Sequence, residues 1–512
     1  MTGPGRKPIV IHPLLFAAWP IIFLFSHNRS ESIGFQQVLL PLGVSLAVSL
    51  IFWGLLNLAY RNAPKSALVV SLMVLLFFSF GHFHAALGGR TVAGLRIWQY
   101  RYLFGASGAI LLAAVLWTVR TRGKLRQLTA VLNLVSVALV AISLFNLSMY
   151  SIRRGPWQQF PEEAAGGGLP GEFREDYPDI YYIILDAYAH DRSFREEYDY
   201  DNREFTGFLQ EQGFYLAERS FSNYAFTAPS LASSLNFEYL DHQRYRAGNQ
   251  RDIFAELSYL IENNNTVRFL KSRGYRFVHF DSGYSCNERN RHADLQLRYG
   301  YANEFLVVLG QSTMLRPWRR GLNLLADDHR RRILGIFSGV SDVHRRVPGP
   351  KFVFAHLPCP RGPFVFGPAG EEVDFDHSSE PRERRLQAYV DQVKFVNSRV
   401  RDMLQVLLSS PERLPVIVIQ ADHGLGVTRE NSGRDSDRYL RSRMWILNAY
   451  FLPGDGSPAL YPSVSPVNTF RIIFNRYFGT DYPLLPDRSY YNWSGYDFVD
   501  VTERVSFSPE GS

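Results

Sequence analysis

The apolar residues of this chain follow two different patterns, and the change between them falls near residue 150. Before it they form five long runs, at 8–26, 38–60, 66–88, 104–119 and 128–150. A helix needs about 20 apolar residues to cross the roughly 30 Å of hydrocarbon in a bilayer. The runs therefore predict an all-α transmembrane bundle of about five helices. A cleaved signal peptide is the alternative for the first run, but no cleavage site is obvious and four more runs follow.

Beyond residue 176 the apolar runs are short and alternate with helical stretches. Runs of this length are typical of strands that are buried on both faces of a parallel sheet. Four of them are DIYYIIL (179–185), YRFVHF (275–280), KFVFAHL (351–357) and PVIVIQ (415–420). Helical patterns lie between them, for example at 204–212, 265–273 and 384–408. The alternation predicts an α/β domain built on a mainly parallel sheet with helices on both faces.

Composition places the remaining boundaries. Residues 151–176 are rich in Gly, Pro and acidic residues, which is typical of an exposed linker. We therefore expect a transmembrane bundle at 1–150, a linker at 151–176, a globular domain at 177–500 and a tail at 501–512. The segment 301–345 has the pattern of an amphipathic, Arg-rich helix that either lies against the membrane or covers the sheet, and we favour the sheet.

The charges are divided as unevenly as the apolar residues. The 512-residue chain has a net charge of +7, yet residues 1–154 hold 14 Lys and Arg and a single acidic residue, Glu31. The remainder of the chain therefore has a net charge of −6. Because the basic excess belongs to the predicted membrane bundle, it argues against nucleic acid as a partner.

Basic residues between the apolar runs predict the orientation of the bundle. Eight fall on one side and four on the other, which favours an amino terminus in the cytoplasm. The larger group is Arg6, Lys7, Arg61, Lys65, Arg120, Arg122, Lys124 and Arg126, and the smaller group is Arg29, Arg90, Arg96 and Arg101. Five crossings then place the chain after Tyr150 outside the cytoplasm. His82 and His84 lie near the end of the third run, where an interfacial position is more common than a transport path.

Each predicted parallel strand ends at residues that can bind a metal or a substrate. In open α/β sheets, ligands bind beyond the carboxyl ends of the strands. The residues are Asp186 after the first strand, His279 and Asp281 at the second, His356 in the third, and Asp422 and His423 after the fourth. Asp186 alone would more often be a helix cap. Taken with the adjacent Asp422 and His423, which a glycine follows, the set predicts a metal site.

A candidate nucleophile lies in the segment SNYAFTAPSLASSLN (222–236). Thr227 precedes a predicted helix, and Pro229 falls in its first turn. The plain alternative is that Thr227 or Ser230 only caps this helix. A hydroxyl here also faces free N–H groups and the positive end of the helix dipole, which favour phosphate or sulfate. Coordination to a divalent metal would lower the pKa of the hydroxyl and make it a usable nucleophile.

Five segments follow one another over residues 177–490: IILDAY, SNYAFTAPSLASSLN, FAHLPCPRGPFVF, VIQADHG and RMWILNAYFLPG. In this order they resemble the sulfatase-like branch of the alkaline phosphatase superfamily. With the five-span anchor ahead of them, the arrangement is similar to lipoteichoic acid synthases and lipid A phosphoethanolamine transferases. The resemblance implies a sulfatase/alkaline-phosphatase-like fold and a divalent ion bound by Asp186, Thr227, Asp422 and His423.

The chain departs from the family pattern at two places. True sulfatases begin their signature with a Cys or Ser that becomes formylglycine and continue with x-Pro-x-Arg, whereas TAPSL (227–231) has neither feature. Sulfate-ester hydrolysis by that route is therefore not expected. Relatives usually read Pro-His-x-Pro where this chain has PRGP (360–363). Arg361 can hold a substrate phosphate but cannot act as a general acid. We expect Arg361 and His356 to bind substrate, and His356, His190 or water to protonate the leaving group.

The resemblance also bears on the number of metal ions. Dinuclear phosphatases of the superfamily need additional histidines late in the chain, and this sequence has none after His423. We therefore expect one divalent ion, and Zn²⁺ or Mn²⁺ would both suit two carboxylates, a hydroxyl and an imidazole. A weaker second site that uses His356 or Asp376 is the alternative. Outside the cytoplasm, the two cysteines of the chain, Cys286 and Cys359, could form a disulfide.

The sequence as a whole predicts a multi-pass protein of the cytoplasmic membrane whose catalytic domain is periplasmic or extracellular. By resemblance, we expect it to transfer a phospho-head-group from a phospholipid donor to an envelope glycan or lipid through a phosphothreonine at Thr227. One alternative is a phosphodiesterase or sulfuric-ester hydrolase that uses the same site with water as acceptor. The other is a catalytically silent envelope scaffold, which Arg361 in place of histidine supports and the four apparent metal ligands oppose.

Overall fold

The computed structural model describes residues 9–27, 35–88, 90–92, 95–121, 125–153, 177–246, 250–301, 304–317, 324–373, 380–409, 414–426, 433, 435–454, 460–493 and 496–506. These residues form two compact units. The membrane unit contains the described residues up to 153 together with 304–317. The sheet unit contains those from 177 to 301 and from 324 to 506. Most of the predicted linker at 151–176 lies outside the described residues.

Apolar helices build the membrane unit. They are α1 (His12–His27), α2 (Phe35–Tyr60), α3 (Ala63–Ala86), α4 (Tyr100–Arg120) and α5 (Arg126–Arg153), and a hairpin of β1 (Thr91–Val92) and β2 (Leu95–Arg96) lies between α3 and α4. By length and composition, α2 to α5 can each cross a membrane. Helix α1 has 16 residues, which is about 24 Å at 1.5 Å per residue. The predicted all-α transmembrane bundle is confirmed with four helices long enough to cross among the described residues, and α1 is shorter than each of them.

The start of α1 is held by polar side chains of neighbouring helices. Asn133 of α5 accepts hydrogen bonds from the backbone N–H groups of Ile11 (3.2 Å) and His12 (3.1 Å) and donates one to the carbonyl of Ile9 (2.8 Å). His12 Nδ1 lies 2.6 Å from the hydroxyl oxygen of Ser71 in α3. Because an unsatisfied backbone group costs several kcal/mol in hydrocarbon, these bonds stabilise the buried end of a short helix.

Beyond the linker, strands and helices alternate as predicted. The first elements are β3 (Ile180–Leu185), α6 (Asp191–Ser193), a π-helical turn (Phe194–Tyr198), α7 (Arg203–Glu211), β4 (Tyr215–Leu216), α8 (Thr227–Asn236), α9 (His242–Arg246), α10 (Gln250–Glu262), α11 (Asn265–Ser272), β5 (Arg276–Phe280), a 3₁₀ turn (Ser285–Asn287) and β6 (Leu295–Leu297). The remainder are α12 (Glu304–Ser312), α13 (Leu324–Arg346), β7 (Lys351–Leu357), α14 (Arg382–Leu408), β8 (Val416–Gln420), α15 (Asp437–Met444), β9 (Asn448–Phe451), a 3₁₀ turn (Pro466–Asn468), α16 (Thr469–Phe478), β10 (Tyr490–Tyr491), β11 (Val499–Asp500) and α17 (Thr502–Val505).

Seven strands form the main sheet, in the order β4-β9-β8-β3-β7-β5-β6. Strands β8, β3, β7, β5 and β6 pair in parallel, whereas β9 is antiparallel to both of its neighbours. The four strands predicted from apolar runs are the four adjacent members β8, β3, β7 and β5. All six residues of β3, at the middle of the order, are buried, as is usual for a parallel strand covered on both faces. The predicted mainly parallel sheet is confirmed.

Alternate residues of β3 enter two different cores. Tyr181, Ile183 and Leu185 pack on one face with side chains of α7, α13 and α14. Ile180, Tyr182 and Ile184 pack on the other face with side chains of α8, α10, α11 and α16. Because successive side chains of a strand point to opposite faces, this alternation shows that helices cover both sides of the sheet.

The amphipathic segment 301–345 is divided between the two units. Helix α12 belongs to the membrane unit, where Phe305 packs with Ile21 and Val38. Helix α13 covers the sheet, and its residues Ile333 and Val340 are fully buried in the core. The favoured alternative, that the segment covers the sheet, therefore holds for α13, whereas α12 packs on helices of the membrane unit.

Two further expectations from the sequence concern the end of the chain and the cysteines. Val501 and Val505, in the segment expected to be a tail, are buried in a small core with Trp445, so the folded domain extends at least to Val505. Cys286 and Cys359 are both buried, and neither is in a disulfide. The disulfide considered for them is not present in the structure.

Replacement of Ile183 by alanine should lower the free energy of unfolding by about 2–5 kcal/mol, because this fully buried side chain of β3 would leave a cavity in the core. Leu414→Ala is the control, since Leu414 is 40% exposed and should change stability by only about 0.5 kcal/mol. Urea unfolding followed by tryptophan fluorescence measures both variants. Equal losses in the two would contradict the assignment of β3 to the centre of the core.

Candidate active site

The parallel register brings two carboxylates to the same edge of the sheet. Ile184 of β3 pairs with His356 of β7 on one side and with Gln420 of β8 on the other. Asp186 and Asp422 each lie two residues beyond this level. Since parallel strands end at a common edge, both side chains are placed beyond the carboxyl ends of the strands, where ligands bind in sheets of this kind.

Each carboxylate has one oxygen that the protein leaves without a donor. Asp422 Oδ1 accepts hydrogen bonds from the N–H groups of Ala187 (3.1 Å) and His423 (2.9 Å). Asp422 Oδ2 and Asp186 Oδ1 are buried and have no hydrogen-bond partner among the described residues. A buried charged oxygen without a partner is costly, so the two atoms mark a place where a cation would be stabilised.

His423 presents a neutral nitrogen to these oxygens. Its Nδ1 lies 2.9 Å from the carbonyl oxygen of Gly424, a bond that requires the proton to be on Nδ1 and leaves the lone pair on Nε2. His423 Nε2 lies 3.8 Å from Asp186 Oδ1 and 3.5 Å from Asp422 Oδ2. Burial, together with the charge of Arg443, lowers the pKa of His423 to about 4, so the imidazole stays neutral at ordinary pH.

Helix α8 brings the hydroxyl of Thr227 to the same place. Thr227 is the first residue of α8, and its Oγ1 lies 3.3 Å from His423 Nε2. The residue at the N-cap position is Phe226, and no side chain caps the helix. The hydroxyl of Ser230 donates to the carbonyl of Asp422 (2.8 Å). Neither hydroxyl therefore acts as the simple helix cap that was the alternative for this segment.

A divalent cation fits this group of side chains. The ligand atoms of Asp186, Asp422 and His423 lie within 4.8 Å of one another, and the Thr227 hydroxyl adjoins them. Two carboxylates, a hydroxyl and a neutral imidazole are ligands that Zn²⁺ and Mn²⁺ both accept. All four residues of the predicted ligand set thus lie together, and their role as ligands belongs to the proposal made below.

Arg361, in the loop that follows β7, lies against the carboxylate of Asp186. Its Nη1 is 3.5 Å from Asp186 Oδ2, and its backbone N–H donates a hydrogen bond to the backbone carbonyl of Asp186 (3.0 Å). Its guanidinium group lies 5.1 Å from the ring centre of Tyr284. Gln392 of α14 donates to the carbonyls of Pro360 and Arg361 and so fixes the loop. Burial is the largest single influence and would raise the pKa of Asp186, but Arg361, His356 and His423 together outweigh it and the pKa is lowered.

His356 is the second predicted substrate-binding residue, and it is fully buried. Its Nε2 lies 3.6 Å from Asp186 Oδ2, and its ring stacks on Tyr284 with the ring centres 5.6 Å apart. Among the described residues neither ring nitrogen has a hydrogen-bond partner. His356 therefore lies beside Asp186 with hydrogen-bonding capacity that the described residues leave unused.

The other candidates from the sequence have different surroundings. His279 bonds to Asn287 (2.7 Å), and Asp281 pairs with Arg298 (3.1 Å), so both support the loops next to β5. His190 accepts a hydrogen bond from the backbone of the first turn of α6 (3.1 Å). Asp376 lies outside the described residues. Of the two histidines proposed as proton donors, His356 is the one that lies close to Asp186, at 3.6 Å.

Arg443 and Tyr284 are site residues that sequence reasoning missed. Arg443 donates from Nε to the carbonyl of Ala225 (2.7 Å) and from Nη1 to those of Gly424 and Leu425 (both 3.1 Å). Its Nη2 lies 3.4 Å from His423 Nε2. Arg443 therefore ties the segment before α8 to the turn after β8. Its position in the motif RMWILNAYFLPG was the available signal, but a motif gives no distance.

A cavity of about 460 Å³ lies beside the loop that carries Arg361. Its walls include Arg361, Phe364, Arg385, Leu386 and Leu425. The two guanidinium groups favour an anion, and the apolar side chains favour hydrocarbon or a ring. The cavity is large enough for a small anionic group.

Neither a family model nor a curated protein matches this chain. Solved structures do. The C-terminal periplasmic domain of EcEptC from Escherichia coli, in complex with Zn, is 14% identical with a TM-score of 0.43, and the match covers 64% of this chain and 92% of that one. The integral membrane protein lipooligosaccharide phosphoethanolamine transferase A (EptA) from Neisseria meningitidis is 12% identical with a TM-score of 0.35, over 87% of this chain and 89% of that one.

The structure of BT1596, a 2-O GAG sulfatase, is 14% identical with a TM-score of 0.38, over 60% of this chain and 72% of that one. The neighbours thus include a phosphoethanolamine transferase and a sulfatase. At these identities and TM-scores the likenesses carry no weight for the activity, which is inferred from the site itself.

Replacement of Gly424 by alanine should lower both stability and activity. A Cβ at this position would lie 2.2 Å from the carbonyl oxygen of Ser442, so the turn that carries His423 would have to move against backbone. Gly207→Ala is the matched control, because a Cβ there meets no described atom within 4 Å and alanine favours a helix interior. Thermal unfolding of both variants measures the effect on stability. An unchanged unfolding midpoint for Gly424→Ala would contradict the close approach of Gly424 to the backbone of Ser442.

Asp422→Asn and His423→Ala should each reduce the bound metal per protein chain, because each removes a ligand atom from the group described above. His292→Ala is the control, since His292 bonds to Asn263 away from the site. Elemental analysis of protein purified without chelators measures the ratio. Unchanged metal content in both site variants would remove these residues from the ligand set.

Proposed function

We propose that this protein is a membrane-anchored, metal-dependent enzyme that transfers a phospho-head-group from a phospholipid donor to an envelope glycan or lipid through a phosphothreonine at Thr227. The observation that supports the proposal most directly is the position of the Thr227 hydroxyl. It lies at the amino end of α8, 3.3 Å from His423 Nε2 and next to two buried carboxylates. A nucleophile placed between a metal group and a helix amino terminus suits attack on an anionic phosphoester.

One divalent cation, Zn²⁺ or Mn²⁺, is proposed to bind to Asp186, Thr227, Asp422 and His423. When bound, such a cation supplies positive charge that lowers the pKa of the hydroxyl and offsets the charge of the phosphoryl oxygens. The protein holds the four ligand side chains in place through the strand ends, the first turn of α8 and the bonds that Arg443 donates.

In the first step, Thr227 Oγ1 forms a bond to the phosphorus atom while the bond between phosphorus and the glycerol oxygen of the lipid breaks. Arg361 and the free N–H groups at the start of α8 stabilise the phosphoryl oxygens. The proton that leaves Thr227 ends on the oxygen of the departing diacylglycerol, by way of His356 or water. The head group then remains on Thr227 as a phosphodiester.

In the second step, a hydroxyl of the acceptor attacks the same phosphorus atom and the bond to Thr227 Oγ1 breaks. Thr227 regains a proton and the acceptor carries the head group. With water in place of the acceptor, the same site would act as a phosphodiesterase. A catalytically silent scaffold would carry out neither step, although it would keep the fold.

The proposal also includes the predicted membrane orientation. The distribution of basic residues, eight against four, supports an amino terminus in the cytoplasm. With α1 as a fifth crossing, the sheet unit then lies outside the cytoplasm, in the periplasm or at the cell surface. The lipids of the adjacent leaflet and the envelope glycans are the substrates available there.

Thr227→Ala should lose diacylglycerol release from phosphatidylethanolamine and phosphatidylglycerol, because no other hydroxyl is placed next to His423 Nε2 among the described residues. Thr227→Ser should keep part of it, since it keeps the hydroxyl. Ser230→Ala is the matched control: its hydroxyl donates to Asp422 but does not face His423. Full activity in Thr227→Ala would contradict the proposed nucleophile.

The same assay separates the alternatives. Diacylglycerol release that depends on an added glycan or lipid acceptor supports a transferase. Diacylglycerol release that is equal with and without an added acceptor identifies a hydrolase. Absence of release and of bound metal in the wild-type protein would make the silent scaffold the correct account.

A further inference from the structure

The membrane unit contains an apolar cavity of about 760 Å³. Its walls come from α1, α2, α3, α4 and α12, with Val48, Phe77, Leu111 and Leu309 among the lining residues. The volume falls in the range of about 300–1,000 Å³ that is usual for sites that hold small molecules. Val48 and Val44, which also lines the cavity, are about half exposed, so the cavity opens at the surface of α2.

Three of the four hydroxyls in the wall are satisfied by backbone carbonyls. The hydroxyl of Ser45 donates to the carbonyl of Ala17 (2.8 Å), and that of Ser49 donates to the carbonyl of Pro13 (3.3 Å). Thr313 donates to the carbonyl of Gly310 (3.0 Å). Because these hydroxyls are satisfied by backbone, the wall offers mainly hydrocarbon to whatever enters.

A basic and aromatic group lies next to the lining residues of the cavity, because Phe80 packs on Tyr100 and on the lining residue Phe104. His84 at the end of α3 stacks on Tyr100 (4.7 Å between ring centres) and lies edge-on to Trp98 (6.1 Å). Arg316 directly follows Leu315, which lines the cavity. We refer to His84, Trp98, Tyr100 and Arg316 as the basic–aromatic cluster. Trp, Tyr and Arg are typical of the head-group level of a membrane.

Helix α12 forms one wall of the cavity. A Cβ at Gly81 would lie 2.1 Å from the carbonyl oxygen of Gln311, so the glycine allows α12 to pack directly on α3. The N–H of Met314 donates to the carbonyl of Phe77 (3.0 Å). With nine residues, α12 is about 13 Å long, too short to cross a bilayer.

We propose that this cavity is a binding site for a membrane phospholipid, with an acyl chain against the apolar wall and the phosphate at the basic–aromatic cluster. The hydrocarbon wall fits an acyl chain, and the bilayer supplies acyl chains at high concentration. The positive charge of Arg316 at one end selects a lipid with an anionic phosphate over one without it. The inference comes from the membrane unit alone and does not rest on the proposed transfer reaction.

The test uses the full chain in nanodiscs of phosphatidylethanolamine that contain a phosphatidylethanolamine with a diazirine on its acyl chain. After irradiation, peptide mass spectrometry should locate cross-links mainly on the lining residues of α2 and α12. Gly108→Phe should lower their yield about tenfold, because a Cβ at this lining position meets no described atom within 4 Å and the ring enters the cavity. Gly310→Leu should do the same from α12.

Gly105→Phe is the matched control: it has equal free space on α4 but does not line the cavity, and its yield should equal that of the wild type. Cross-links spread evenly over the outer faces of the helices, or an unchanged yield in both filled variants, would overturn the site. Thr227→Ala should cross-link like the wild type, so failure of the transfer reaction and failure of this inference give different results.

Arg316→Gln tests the head-group end. It should lower the yield with the phosphatidylethanolamine probe severalfold and leave unchanged the yield with a diacylglycerol that carries the same diazirine chain. An unchanged yield with the first probe, or an equal fall with both, would overturn the assignment of the phosphate to the basic–aromatic cluster.

Discussion

Two buried carboxylates that face each other across neighbouring strand ends determine the rest of this site. Asp186 and Asp422 are both almost fully buried, and each has an oxygen without a donor in the described structure. Two like charges in such a place are unfavourable unless positive charge is brought to them. The protein supplies Arg361 on one side of Asp186 and backbone N–H groups to one oxygen of Asp422. The two remaining oxygens face Thr227 and His423, which is the arrangement that a divalent cation would stabilise.

The surrounding structure keeps this arrangement in place. The register of β3 with β7 and β8 sets the level of the carboxylates. Gly424 lets the turn after β8 approach the backbone of Ser442, and Arg443 connects that turn to the segment before α8. The site is therefore assembled from strand ends, one helix start and one buried arginine, and each of these is fixed by backbone contacts rather than by exposed side chains.

Much of the fold could be predicted from the sequence because the relevant signals are local. Strands β3, β5, β7 and β8 are continuous apolar runs, and the membrane helices are longer ones. Strands β4, β6 and β9 were not predicted, since they have two to four residues and lie toward the edges of the sheet, where burial imposes a weaker pattern. The position of α12 was also not predictable, because an amphipathic pattern indicates that one face is covered but not by what.

The site was predictable to the extent that its residues follow strands or belong to a motif. Asp186, Asp422, His423 and Thr227 carry such signals, and they lie together. Tyr284 carries no such signal. Arg443 begins one of the motifs, but its role depends on a contact between distant parts of the chain, since it bonds to Ala225, which is 218 positions away. Interactions of this kind arise from the tertiary fold, and a single sequence gives no distance for them.

The account depends most on Thr227 as the nucleophile. The most direct measurement is the intact mass of the full-length protein after incubation with phosphatidylethanolamine or phosphatidylglycerol, followed by peptide mapping and metal analysis. The account predicts an added phosphoethanolamine or phosphoglycerol that maps to Thr227 in protein that retains one divalent metal ion. An adduct on a different residue, or diacylglycerol release with no adduct at Thr227 in a single turnover, would contradict it.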